Sequence, residues 1–147
     1  MKIYVGSDHN GFFMKQAIVD YLKKNKFNVV DDGDNQLDPQ DDYPDFAKKV
    51  VADVLGSKDK HSMGILLCGS GQGMCMTANR YKGIRAALGY DQESVRSSRN
   101  DDDANILCLP ARILSEEQAC ELAKLFIKTE FAKAPRFSRR IQEMDEV

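Results

Sequence analysis

The sequence contains no apolar run longer than a few residues. A helical bilayer span needs about 20, so no segment reads as a membrane helix. The first residues, "MKIYVGSDHNG", lack the apolar core of a secretory leader and read as a β-strand instead. Charge of one sign is also scarce. Lys and Arg number 21 against 23 Asp and Glu, a formal net charge of −2, which points to neither nucleic acid nor a membrane surface as partner. The four cysteines include no C-x-x-C pair, which argues against zinc and thioredoxin-type sites. Without a leader they do not suggest a disulfide framework either. Reduced thiols and a cytoplasmic location are expected. There are only two histidines, His9 and His61. His61 lies in the polar stretch "SKDKHSM", where no role is expected. No linker, low-complexity segment or repeat divides the 147 residues, a length that suits one domain with a single buried core.

What is present is alternation. Residues 1–6 form a β-prone run ending in Gly6-Ser7-Asp8. Residues 11–25 carry Phe12, Phe13, Ala17, Ile18, Tyr21 and Leu22 at helical spacing. "FNVVDDG" predicts a second strand. Residues 31–45 hold seven aspartates with Pro39 and Pro44 and read as a solvated loop. "FAKKVVADVLG" is a second amphipathic helix stopped by Gly56. "MGILLCG" is apolar throughout, as a strand covered on both faces should be. "GMCMTANRYKG" predicts a helix, "IRAALGY" a strand, 91–98 a short helix and "ANILCLPAR" a fifth strand. "SEEQACELAKLFIKTEF" is a long helix with a Ser-x-x-Gln start, and 135–145 is a basic closing helix. This order predicts an α/β domain over 1–147, a parallel sheet with helices on both faces. Ligands of such sheets sit beyond the C-terminal ends of the strands. The informative residues are therefore Asp8 and His9, then Cys68 to Gly73, then Arg112.

The loop Gly69-Ser70-Gly71-Gln72-Gly73 joins a strand to a helix, and its N–H groups suit an anion. A dinucleotide fingerprint needs a glycine where Met74 stands, although Asp91 lies near the distance of a ribose-binding acid. The Lys-Ser/Thr of a P-loop is absent. A cysteine phosphatase would want an arginine within the loop, and the first is Arg80. The remaining enzymatic reading makes Cys68 a base, with the loop N–H groups holding an oxyanion that develops on the substrate. The bland reading makes it a buried thiol, as expected for Cys75, Cys108 and Cys120. Near the end of the chain Lys133, Arg136, Arg139 and Arg140 cluster within eight residues. Arg136 and Arg140 share a helix face and suit phosphate oxygens. A solvated basic tail accounts for the same residues.

Taken together, "GSDHNGF" (6–12), "DYPDFA" (42–47), "GILLCGSGQGM" (64–74), "ANRYKGIRAAL" (78–88), "DANILCLPAR" (103–112) and "RFSRR" (136–140) resemble the RpiB/LacAB family of sugar-phosphate isomerases, in order and spacing over nearly the whole chain. The resemblance implies a Rossmann-like three-layer α/β/α sandwich with a five-stranded parallel sheet. It also implies a homodimer or homotetramer with the active site at a subunit interface, and neither metal nor cofactor. By position it makes Cys68 the proton-abstracting base and Ser70 its assistant. Gly69, Gly71, Gln72 and Gly73 become the loop that holds the reacting oxygens. Asp8 and His9 match the substrate-binding pair, and Arg112, Arg136 and Arg140 the phosphate-binding arginines. The implied reaction is aldose–ketose isomerisation, foremost ribose 5-phosphate to ribulose 5-phosphate. Tetrulose and hexose phosphates are the alternatives within the family.

One motif departs. Where many members carry "SRxHNDAN", with a histidine that opens the sugar ring, this chain reads "SSRNDDDAN" (97–105). Asp101 stands at the histidine and Asp102 at the following asparagine. By position Asp101 is a catalytic candidate and Asp102 a substrate-binding one; either Asp101 or Asp102 opens the ring in the histidine's place, or His9 does, or the substrate has no ring to open. Two other readings fit the same residues: a non-catalytic phosphate- or nucleotide-binding module, and a subunit active only with a paralogous partner.

Overall fold

The computed structural model describes all 147 residues. Five parallel strands, β1 (Lys2–Ser7), β2 (Asn28–Asp31), β3 (Met63–Cys68), β4 (Ala86–Leu88) and β5 (Ile106–Pro110), form one sheet in the order β2-β1-β3-β5-β4. Six helices accompany them: α1 (Phe12–Lys24), α2 (Tyr43–Gly56), α3 (Gln72–Ala78), α4 (Gln92–Asn100), α5 (Glu116–Lys128) and α6 (Pro135–Asp145). The strands sort their side chains by alternation. Ile3, Val5, Ile65, Leu67, Leu107 and Leu109 pack with Ile18 and Leu22 of α1, Val95 of α4 and Phe126 of α5. Tyr4, Leu66, Cys68, Ile106 and Cys108 face the other way, onto Phe46, Val50 and Val54 of α2 and Met74 of α3. Every residue of β3 and β5 is buried, as the unbroken apolar run "MGILLC" requires of a strand covered on both sides.

Local chemistry sets the helix ends. The Ser-x-x-Gln start of α5 forms a complete capping box between Ser115 and Gln118, and Asp91 with Ser94 does the same for α4. Three expectations shift. α3 stops at Ala78 rather than near Gly83, because the Asn79 amide leaves the helix and grips both the N–H and the C=O of Ala86, each at 2.8 Å. α4 runs on to Asn100. On α1 the apolar face is rotated: Phe13 is 62% exposed, while Met14 and Lys15 turn inward. Lys15 is only 1% exposed, and its Nζ reaches the Asp31 carboxylate at 2.6 and 2.8 Å and the Asp34 carbonyl at 3.2 Å.

The strand order places the site. From β1 the chain goes outward to β2, then crosses to the other side of β1 to lay down β3. The loops after β1 and β3 therefore diverge and leave a crevice at their C-terminal ends, the place where open α/β sheets bind ligands.

Candidate active site

Parallel pairing brings Ser7 opposite Leu67, so the residues that follow, Asp8 on one strand and Cys68 on the other, flank the crevice. The Asp8 N–H donates to the Leu67 carbonyl at 3.2 Å, and the Asp8 carboxylate caps the Asn10 N–H at 2.9 Å, opening a short 3-10 turn, His9–Gly11. That turn lies flat on β3 because residue 11 is glycine: a Cβ there would meet the Leu67 Cβ at 2.7 Å. Asp8 is 5% exposed.

Cys68 closes β3 and is also 5% exposed, packed beneath the glycine loop. The Gly71 N–H donates to its sulfur at 3.2 Å, so one loop donor is already aimed at the thiol. The backbone reason is visible at Gly71 itself, whose φ of +75° lies in the left-handed region and whose Cβ, if present, would meet Leu88 Cδ1 at 2.5 Å. Ser70 is exposed, with its hydroxyl accepting from the Gln72 N–H at 3.3 Å. The Arg112 guanidinium lies directly on Gly69, where a Cβ would come within 2.9 Å of Cζ and Nε. The Arg112 N–H also donates to the Gly69 carbonyl at 3.0 Å, tying the end of β5 to the loop. Arg112 forms no ion pair within the chain, which leaves its charge available to an incoming anion. Tyr43, at the start of α2, covers Gly73 in the same manner.

Asp8, His9, Cys68, Gly69, Ser70, Gly71, Gln72, Gly73 and Arg112 thus gather at one edge of the sheet. Asp101, Asp102, Arg136 and Arg140 do not join them. α4 leaves the C-terminal end of β4 and returns the chain to the N-terminal end of β5, so residues 101–105 lie at the opposite edge. There Asn105 contacts Arg85 and Gly64 at the strand starts. Six strand residues separate the two edges, about 20 Å. Asp101 is the C-cap of α4, and its carboxylate accepts from the Asn100 amide at 2.7 Å. Asp102 is pushed upward from the ordinary carboxylate range by burial and by Asp101, with Arg140 pulling it back. Asp103 is structural: it bridges Arg85 and Arg99 at 3.1 and 2.7 Å.

α6 continues from that edge and buries none of its residues. Arg136 and Arg140 carry no ion pair, unlike Arg139, which meets Glu143 at 3.8 Å. A cleft of about 700 Å³ opens at this same edge, among Arg80, Arg85, Asp102 and Met144. The other cysteines keep to packing: Cys108 and Cys120 are buried, and the half-buried Cys75 donates its S–H to the Ala86 carbonyl at 3.3 Å.

Sequence reasoning missed Asp41. The acidic loop read as solvated turns inward there. Asp41 Oδ1 sits 2.6 Å from His9 Nδ1 and accepts the His9 backbone N–H at 2.9 Å. The hydrogen bond to Asp41 holds the imidazole pKa above its ordinary value, against the opposing pull of burial and with help from Asp8. Nothing local marks Asp41 among seven neighbouring aspartates. Asp8, His9 and Asp41 offer ligand atoms within 4.8 Å of one another. The short bond spends the imidazole Nδ1 and a carboxylate oxygen on each other, an acid–base dyad, and we assign no metal there.

A thiol, loop amides and a free arginine at the strand ends of a parallel sheet define an α/β protein equipped for proton chemistry on a small anion. The chain belongs to the ribose/galactose isomerase family, whose model matches residues 3–144. It is 42% identical over 142 residues to a probable ribose-5-phosphate isomerase B of Mycoplasma genitalium, covering 97% of this chain and 92% of that one. It is 35% identical over 146 residues to ribose-5-phosphate isomerase B of Mycolicibacterium paratuberculosis, covering 99% and 91%. Among solved structures, ribose-5-phosphate isomerase B of M. genitalium with bound ribulose-5-phosphate superposes with a TM-score of 0.93 at 41% identity, covering 99% of this chain and 94% of that one. A ribose 5-phosphate isomerase of Thermotoga maritima gives 0.93 at 42%, covering 99% and 98%. No helix is long and apolar enough to cross a membrane.

Proposed function

We propose that this chain interconverts ribose 5-phosphate and ribulose 5-phosphate, with Cys68 as the base. The observation that carries the reading is a buried thiol at the end of β3 that receives a loop N–H, one residue beyond the Leu67 that pairs with Ser7 just before Asp8, in a family whose relatives carry that activity by name.

The chemistry follows from the placement. Cys68 takes the proton from C2 of the open aldose, and negative charge spreads onto O1 and O2 of a cis-enediolate. The free N–H groups of the loop and the Ser70 hydroxyl bind those oxygens, where charge develops. Cys68 returns the proton to C1, and the hydroxyl proton passes from O2 to O1, so atoms balance with no redox partner. Asp8 orients a sugar hydroxyl. Arg112 takes part of the phosphate.

One arginine is a sparse site for a phosphate dianion, and Arg136 and Arg140 stand unpaired on a helix that buries nothing in its own chain. We therefore propose a homodimer, or a tetramer of such dimers, in which α6 of one copy brings Arg136 and Arg140 over the crevice of another. Phe13, Tyr43, Tyr90 and Ile113, all exposed and all at the C-terminal ends of strands or the helix starts that follow them, give that contact its apolar part. The free cysteines fit a cytoplasmic enzyme.

The test is isomerisation of ribose 5-phosphate by wild type and Cys68→Ala, with uptake of deuterium from D2O into the product. A positioned base supplies about 10²- to 10⁴-fold, so Cys68→Ala should lose at least about 10²-fold in kcat with little change in KM. Equal rates would remove Cys68 from the reaction. An active protein that takes up no solvent deuterium would argue against the enediolate.

A further inference from the structure

On the proposed isomerase reading, in which α6 serves another copy of the chain, we infer that Asp103 is the positioning residue that aims it. By clamping Arg85 and Arg99, Asp103 fixes the direction of α6, and so where Arg136 and Arg140 meet the sugar phosphate in the partner's crevice. It touches no substrate and acts through those two arginines.

Packing within the chain does not hold α6. None of its residues is buried, and no side chain caps its start. Polar contacts reach it at both ends instead, and they converge on the turn after α4. At the near end, Arg99 Nε donates to the Thr129 carbonyl at 3.2 Å, and the Ala132 N–H donates to the Asn100 carbonyl at 3.0 Å. The helix itself begins at Pro135, just beyond this anchor. At the far end, Arg85 Nη1 donates to the Asp145 carboxylate at 3.3 Å.

Asp103 joins the two anchors. Its Oδ1 accepts from Arg99 Nη1 at 2.7 Å, and its Oδ2 accepts from Arg85 Nη2 at 3.1 Å. Its carbonyl also accepts from Arg85 Nε and Nη2, at 3.1 and 3.0 Å. Arg99 is buried and donates further to the Ala104 carbonyl at 2.7 Å. Planar guanidinium forks bound at several points have little freedom left to turn. The Asp103 backbone has φ +47°, a left-handed conformation that aspartate and asparagine adopt more readily than most residues. A turn that only returned the chain from α4 to β5 would need no contacts to residues 129–145. The whole network lies at the edge away from the chain's own Cys68, which suits an arm that serves another copy.

The test uses full-length variants that keep the backbone. Asparagine and glycine both accept the left-handed region, so Asp103→Asn and Asp103→Gly remove the carboxylate without adding strain. Each is expected to raise KM for ribose 5-phosphate at least about fivefold, part of the worth of the charge-assisted contacts that the arm carries. With the base and its loop untouched, kcat should stay within about threefold of wild type. In a background lacking both arm arginines (Arg136→Ala with Arg140→Ala), Asp103→Asn should change KM by less than about twofold. A general loss of structure would act equally in both backgrounds. Co-expression of Asp103→Asn with Cys68→Ala puts an intact base under an intact arm in the mixed assemblies, and a population with wild-type KM should return. Unchanged KM in both single variants overturns the inference, as does an equal rise in the background without the arginines or a mixed protein that shows only the raised KM. Wild-type protein that does not isomerise ribose 5-phosphate would instead overturn the isomerase reading itself.

Discussion

Replacing Gly71 with alanine should damage stability and catalysis together, and the two losses can be worked from one position. The backbone at Gly71 has φ +75°. A side chain in that left-handed region costs about 1–2 kcal/mol. The added methyl would also lie 2.5 Å from Leu88 Cδ1 and 3.3 Å from the backbone between Leu109 and Pro110. Leu88 is a flexible end, but the β5 backbone cannot give, and overpacking of this kind costs about 1–3 kcal/mol. Together the loss is about 2–5 kcal/mol. At an m-value of about 2 kcal/mol/M, the urea midpoint should fall by about 1–2.5 M. Relief of the clash moves the loop off β5 and takes the Gly71 N–H away from Cys68, and a misplacement near 1 Å costs up to about 10²-fold in rate. The control is Gly56→Ala. Gly56 ends α2 without a positive φ, and a Cβ added there would meet nothing within 4 Å. Helix propensity should stabilise that variant by up to about 1 kcal/mol with kcat unchanged. A Gly71→Ala protein that loses less than about 0.5 kcal/mol, or that matches Gly56→Ala, would refute the argument.

Two further outcomes are expected. Asp32 is buried, its Oδ2 has no hydrogen-bond partner, and burial followed by the nearby Asp53 carboxyl pushes its pKa up to about 6. Its unfolded value is about 4, so the folded state favours the protonated form. The pair's contribution is fully present below about pH 4 and is lost as pH rises through about 6, by about 1–3 kcal/mol. Asp53→Asn removes the like charge and offers an amide to Oδ2. Urea titrations should show it more stable than wild type by about 1 kcal/mol at pH 8 and nearly level at pH 5; a difference that does not change between the two would contradict the pairing. On α6, Arg140→Ala should raise KM for the sugar phosphate at least about tenfold, the worth of one charge-assisted contact. Arg139→Ala, whose guanidinium already meets Glu143, should leave KM unchanged, and equal effects would place the phosphate elsewhere.

The fold was legible where one kind of force acts alone. The all-apolar "MGILLC" demands cover on both faces, and the Ser115–Gln118 box needs only local geometry. Phe13 and Lys15 show where this stops. Periodicity assigns Phe13 to the core and Lys15 to water, but the reverse holds because Asp31, sixteen residues away, offers Lys15 a carboxylate. The half of the candidate site that follows β1, β3 and β5 was legible as a cluster because strand ends are read directly from alternation. Asp41 was not: it meets His9 across 32 residues of chain, from a loop whose aspartates look alike. The separation of Asp101 from Cys68 was implicit in the alternation itself, since a helix between parallel strands must carry the chain back to the starting edge, but it becomes visible only when that direction is traced.

That tracing also explains why position in the chain is a poor guide to position in the site. Cys68, Asp8 and Arg112 are brought together by parallel pairing, which costs nothing beyond the fold. Arg136 and Arg140 lie beyond the last core helix, on an element that leaves all its residues outside the core of its own chain. A helix with Phe137, Ile141 and Met144 unburied gains little by standing alone in water, because isolated helices shorter than about 12–15 residues are marginal without tertiary packing. Under the proposed assembly the surface that orders α6 is the same surface that needs its arginines. Docking the Phe137–Ile141 face and presenting Arg136 and Arg140 then become one event, and the chemistry at Cys68 is tied to association even though every atom of the Cys68 loop is set within a single chain.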